Sequence, residues 1–173
     1  MPAPLKSLLV LGGARSGKSR HAQAVAEASG GALVFIATAQ AFDGEMTDRI
    51  ARHRADRDAR WRTLEAPLAL PEAIAAADRP GATVLVDCLT LWASNLLLAD
   101  ADTDAAAAAL VATLEQTNAR VILVSNEVGF GIVPDNALAR RFRDVAGLLN
   151  QRVAAAVAQV DFVIAGLPQR LKG

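Results

Sequence analysis

Gly12, Gly13, Ala14, Arg15, Ser16, Gly17, Lys18 and Ser19 follow one another with the spacing G-x-x-x-x-G-K-[ST], a pattern that suits the capture of a polyphosphate. Glycines allow backbone N–H groups to turn inward around phosphate oxygens, and a helix beginning near Lys18 would add its partial positive charge. In that arrangement Lys18 contacts the β and γ phosphates of a nucleoside triphosphate, and Ser19 is a ligand to Mg²⁺. A second metal-binding group is expected at Asp87, where the apolar run Val84, Leu85, Val86 ends in a carboxylate. Asp87 as an N-cap of the segment 89–98 is the competing reading.

A nucleophile is also available. Arg49, His53 and Arg57 fall at i, i+4 and i+8, on one face of a helix. Positive neighbours favour the neutral imidazole and lower its pKa, leaving a nitrogen lone pair to attack, while the same arginines can hold a triphosphate. On spacing alone, a solvated charged face explains this helix equally well. His21, the other histidine, lies just after the phosphate loop and is expected to serve structure rather than chemistry.

These residues must be positioned by the elements around them. Continuously apolar runs at residues 8–11, 32–37, 83–86, 120–124 and 161–165 alternate with longer Ala-, Leu- and Arg-rich stretches. The pattern predicts an α/β fold of the P-loop NTPase-like kind, with three layers and a mostly parallel central sheet covered on both faces. The phosphate loop then sits where such a fold needs it, between a strand and a helix. A long helix is expected over residues 136–160, with Leu138, Phe142, Val145, Leu149 and Val153 as its inward stripe and Asp135 as its N-cap. Residues 101–114, rich in alanine and without proline, read as a further helix.

The bulk properties narrow the function classes. A chain of 173 residues, 53% hydrophobic, suits one catalytic domain over residues 1–173. Lys plus Arg and Asp plus Glu number 18 each, so no charge excess draws the chain to nucleic acid or to an anionic membrane. Cys88 is the sole cysteine, which excludes an intrachain disulfide and a cysteine-based zinc cluster and fits a reducing cytoplasm. The apolar run at 8–11 is too short to span a bilayer. With three lysines in the chain there is no Asn-Lys-x-Asp tetrapeptide of the guanine-reading switch proteins.

The order of longer motifs resembles one family. Residues 12–20, Ala37-Thr38-Ala39-Gln40, Arg49-Ile50-Ala51-Arg52-His53-Arg54, Trp61-Arg62-Thr63-Leu64-Glu65 and Val86-Asp87-Cys88-Leu89-Thr90 are followed by Ser125-Asn126-Glu127-Val128-Gly129-Phe130-Gly131-Ile132-Val133-Pro134. Asn136, residues 140–144, Gly166-Leu167-Pro168 and Leu171-Lys172 complete the set. Together they are similar to the bifunctional adenosylcobinamide kinases / adenosylcobinamide-phosphate guanylyltransferases of cobalamin biosynthesis, over nearly the whole chain. The run from Asn126 to Pro134 is the most distinctive part, since a glycine-rich turn explains neither Asn126 nor Glu127.

The resemblance implies two reactions: phosphorylation of adenosylcobinamide by ATP or GTP, then transfer of GMP from GTP to adenosylcobinamide phosphate through a guanylylated histidine. It places that histidine at His53. It also puts Ala37, Thr38, Ala39, Arg54, Ala55, Asp56, Arg57 and Glu65 near the guanosine nucleotide, and Asp87 at the nucleotide or Mg²⁺. It implies a homo-oligomer, a trimer, with the corrinoid lying across a subunit boundary. On the residues alone, a P-loop kinase of another small molecule with no covalent step, or a nucleotide switch acting through partners, stays open.

Overall fold

The structure, a computed structural model, describes residues 7–40 and 58–173. Among the described residues seven strands form one sheet: β1 (Ser7–Gly12), β2 (Leu33–Ala37), β3 (Trp61–Glu65), β4 (Thr83–Asp87), β5 (Arg120–Asn126), β6 (Gln159–Ile164) and β7 (Leu167–Lys172). Their spatial order is β3-β2-β4-β5-β1-β6-β7, with every pairing parallel except β6 with β7. The α/β reading of the sequence therefore holds. Parallel strands bring all their carboxyl ends to one edge, and in open α/β sheets that edge is where ligands bind.

Alternate residues of the inner strands serve two different cores. Leu8 and Val10 of β1, Leu85 of β4, and Ile122 and Val124 of β5 pack with Ala22 and Ala26 of α1 (Lys18–Glu27). Leu9, Val84, Val86, Val121 and Leu123 face the opposite way, onto α2 (Leu70–Ala77), α3 (Leu89–Leu98), α4 (Thr103–Gln116) and α5 (Ala137–Ala156). This two-faced burial is why the strands read as unbroken apolar runs. Trp92 of α3 is 1% exposed, and it satisfies its indole by donating Nε1–H to Leu68 O at 2.8 Å. No described helix is long and apolar enough to cross a membrane.

Several expectations shift. The long helix ends at Ala156, and its last expected residues instead enter β6. Its N-cap is Asn136, whose side chain accepts from Ala139 N at 2.8 Å, so the cap lies one residue after Asp135. Leu138, at the start of the expected stripe, is 55% exposed, while Leu149 and Val153 are buried as expected. The alanine-rich helix runs over Thr103–Gln116, capped by Asp102 through Ala105 N. β3 and β7 form the two edges of the sheet and went unrecognised as strands.

Candidate active site

The phosphate loop begins at the carboxyl end of β1 and closes on the first turn of α1. Gly12 has no room for a side chain: a Cβ there would lie 2.5 Å from Ser16 Oγ and 2.7 Å from Val163 O. Arg15 and Gly17 adopt φ of 56° and 94°, the left-handed conformations that fold the chain into a cup. Lys18 is buried at the head of the helix, and its ammonium donates to Gly13 O at 3.1 Å across the mouth of the loop.

One polar atom in this cup has no internal explanation. Ser16 Oγ is buried without a hydrogen-bond partner among the described residues, whereas buried hydroxyls in folded proteins are nearly always paired. A loop of inward-turned backbone, a buried lysine and an unpaired hydroxyl fit a bound polyphosphate. Among the described residues no group of three or more His, Cys, Asp or Glu gathers to hold a metal by protein ligands alone.

Of the remaining expected residues, Ala37, Glu65 and Asp87 line the same edge. Register places Ala37 opposite both Asp87 and Glu65, so β3, β2 and β4 end in a row. Asp87 is half-buried and precedes α3, but the N-cap position is Cys88. The cap position thus falls one residue after Asp87. Glu65 is exposed at the end of the edge strand, four strand spacings from Gly12, on the order of 19 Å.

Thr38, expected near the nucleotide, also has a structural task. It is fully buried, and its hydroxyl donates to Cys88 O at 2.7 Å and accepts from Cys88 N at 2.9 Å. Asn95 of α3 in turn donates to Thr38 O at 2.7 Å. Thr38 thus holds the turn that follows Asp87. Burial, with the nearby Asp87 charge, pushes the Cys88 thiol up to about 11, so Cys88 remains a neutral thiol. His53, Arg54, Ala55, Asp56 and Arg57 lie outside the described residues.

Sequence reasoning missed the brace behind the loop. The turn between β6 and β7 sits against it: Gly166 N donates to Ser16 O at 2.7 Å, and a Cβ on Gly17 would come within 3.1 Å of Gly166 Cα. Below that turn, buried Asp161 of β6 binds His21 of α1 at 2.9 Å and accepts from Arg170 Nε of β7. The expectation that His21 is structural agrees with this placement.

Burial opposes ionisation of Asp161, but the hydrogen bonds from Arg170 and His21 outweigh it and hold its carboxyl below the usual range. A lowered folded-state pKa contributes stability that is present above the unfolded value, near 4, and is lost as pH falls through the folded one. Asp161→Asn should therefore cost about 2 kcal/mol at pH 7, the worth of a hydrogen bond to a charged group. Urea denaturation should show that gap narrowing below about pH 4. A gap constant across pH would mean the carboxylate charge is not what braces the hairpin.

Three comparisons place this geometry among known proteins. Residues 8–171 match the model of the cobinamide kinase / cobinamide phosphate guanyltransferase family. The bifunctional adenosylcobalamin biosynthesis protein CobP of Pseudomonas aeruginosa is 54% identical over 167 residues, covering 95% of this chain and 96% of that protein. The bifunctional adenosylcobalamin biosynthesis protein CobU of Escherichia coli is 44% identical over 180 residues, covering 95% and 99%. Among solved structures, a prototypical ATPase from the type III secretion system of pathogenic bacteria superposes with a TM-score of 0.56 at 10% identity. That match covers 95% of this chain and 56% of the ATPase chain, and it supports the fold alone. With the phosphate loop, the carboxylate ending β4 and the match over residues 8–171, the chain belongs to the cobinamide kinase / cobinamide phosphate guanyltransferase family.

Proposed function

We propose that the chain carries out two successive transfers on one corrinoid. In the first, the terminal hydroxyl oxygen of the aminopropanol arm of adenosylcobinamide attacks the γ-phosphorus of ATP or GTP. The bond to the β,γ-bridging oxygen breaks, the nucleoside diphosphate leaves with that electron pair, and the hydroxyl proton passes to solvent. In the second, a neutral nitrogen of His53 attacks the α-phosphorus of GTP and pyrophosphate departs. A phosphate oxygen of adenosylcobinamide phosphate then takes the GMP from His53, giving adenosylcobinamide-GDP and the free histidine. Family membership over residues 8–171 carries this reading.

The chain's own residues divide the work. Gly12, Gly13, Ala14, Arg15, Ser16 and Gly17 wrap the polyphosphate, and Lys18 neutralises charge that grows on its β and γ oxygens. Ser19 and Asp87 would hold Mg²⁺, which supplies further charge neutralisation when bound. Ala37, Ala39, Arg54, Ala55, Asp56, Arg57 and Glu65 form the guanosine side of the site, with Glu65 able to accept from the guanine N1 and exocyclic amine.

The functional unit is a homo-oligomer, the trimer that the family pattern implies. Phe130, Ile132 and Val133 after β5 are 86%, 97% and 62% exposed, and Ile164 and Leu167 flank the neighbouring hairpin turn at 61% and 72%. Phe130 touches Phe162 of that hairpin, with ring centroids 6.3 Å apart, so the exposed apolar groups adjoin. Patches of this kind are usually covered in an assembly.

The experiment is turnover without a partner protein. Purified chain given adenosylcobinamide and γ-labelled ATP or GTP should label the corrinoid, and α-labelled GTP should then extend the phosphorylated product. Asp87→Asn should need several-fold more Mg²⁺ for half-maximal rate, because a neutral amide is a poorer ligand for a hard cation. No label in the corrinoid would overturn the reading, and an unchanged Mg²⁺ titration would remove Asp87 from the metal site.

A further inference from the structure

Asn126 opens the most distinctive run of the sequence, and neither the phosphate loop nor the metal site accounts for it. It is the last residue of β5, the strand that separates the phosphate-loop strand β1 from the Asp87 strand β4. Register sets it directly opposite Gly12, and Glu127 N donates to Gly12 O at 3.0 Å.

Side chains alternate between the two faces of a strand. Ile122 and Val124 lie in the α1-side core, so Asn126 continues that face, as Gly12 continues Leu8 and Val10 and Asp87 continues Leu85. The phosphate loop crosses the sheet edge on this same side to reach α1. Asn126 is half-buried there, and its carboxamide has no hydrogen-bond partner among the described residues.

Its backbone, by contrast, is fixed on both sides. Thr90 Oγ1 accepts from Asn126 N at 2.7 Å, and Asn150 Nδ2 donates to Asn126 O at 3.2 Å. Ser125, facing the other way, ties these two together: its hydroxyl donates to Asn150 Oδ1 at 2.7 Å and lies 3.3 Å from Thr90 Oγ1. Thr90, Ser125 and Asn150 are all buried. A closed polar network in a core is retained at a cost in desolvation, and what this one does is fix a single backbone position. Thr90 lies three residues past Asp87, so the network also sets Asn126 relative to that carboxylate.

We propose that Asn126 is a catalytic residue of the phosphoryl-transfer step, its carboxamide N–H donating to a γ-phosphate oxygen of the triphosphate held by residues 12–19, with Thr90, Ser125 and Asn150 as its positioning residues. Charge on the γ oxygens is redistributed as the phosphoryl group passes to the acceptor hydroxyl, and a donor held rigidly beside them stabilises that state without reorganising. The donor stays neutral, and no proton is transferred to or from the amide. The role rests on the kinase reading given above.

The test compares α,β-methylene analogues of GTP and GDP, from which no guanylyl group can be transferred, binding to the full chain with Mg²⁺. Asn126→Ala should bind the triphosphate analogue about tenfold more weakly and the diphosphate analogue as wild type does, since only the former carries the γ group. Asn126→Asp should lose more still, by placing a like charge beside the γ oxygens. The kcat for corrinoid phosphorylation should fall about a hundredfold in Asn126→Ala, with the corrinoid KM unchanged. Thr90→Val should reproduce the triphosphate-selective loss in weaker form, and Thr90→Ser should restore it. An unchanged ratio of triphosphate to diphosphate affinity in Asn126→Ala, or an equal loss of both, overturns the proposal. A wild-type chain that binds both analogues yet phosphorylates no corrinoid would overturn the kinase reading, while the affinity ratio would still decide whether Asn126 meets the γ-phosphate.

Discussion

Incubated with α-labelled GTP and Mg²⁺, the wild-type protein should become labelled and His53→Ala should not. The nucleophile must offer a lone pair to phosphorus at neutral pH and then release the group to a second acceptor. An imidazole does both, because its nitrogen is neutral above its pKa and the phosphoramidate it forms stays reactive. The expected effect is loss of the adduct altogether, since an alanine leaves nothing to carry it. Label on the γ-phosphate should not reach the protein, because that phosphate leaves with pyrophosphate. The wild-type adduct should be lost in acid and survive base, and its formation should decline below about pH 6 as the imidazole gains a proton. GTP binding at residues 12–19 should persist in His53→Ala, because that loop uses other residues. Full labelling of the variant would move the guanylyl group to another residue, and an unlabelled wild-type protein would leave a plain kinase as the better description.

How much of this could be read from the sequence depended on whether a residue's role is local. The phosphate loop is a contiguous pattern at a strand-to-helix junction, so its residues and flanking elements were all legible together. The inner strands were legible because burial on both faces makes them unbroken apolar runs. β3 and β7 were not, because each is an edge strand. β7, Leu-Pro-Gln-Arg-Leu-Lys, is exposed throughout and carries the proline and charges that blunt an edge. Asp135 and Asn136 are both capping residue types, and only the geometry of the entering chain decides between them. The contact of His21 with Asp161 joins residues 140 positions apart, which no local pattern announces. Asn126 stood out as a motif residue, but its purpose depends on the register that sets it beside Gly12.

Lys18→Ala should depress corrinoid phosphorylation by about a hundred- to a thousandfold, the range found when one preorganised charge-stabilising donor is removed. The lysine is buried at the helix head with its ammonium on Gly13 O, so it lies within reach of whatever the loop encloses. Its loss from the fold should be small beside the loss of turnover, because its stem is not part of either hydrophobic core. Stability and turnover should thus separate in this variant, with an unchanged circular dichroism spectrum and a collapsed kcat/KM. Lys18→Arg should not rescue, since a planar guanidinium cannot replace the compact ammonium that donates to Gly13 O at 3.1 Å. The adduct assay gives the variant a second use. If both reactions draw on one triphosphate held by this loop, His53 labelling should fall in parallel with phosphorylation. Labelling that survives while phosphorylation is lost would instead place the guanylyl donor at a second site, nearer Ala37 and Glu65, and wild-type turnover at limiting nucleotide would remove the loop from the chemistry.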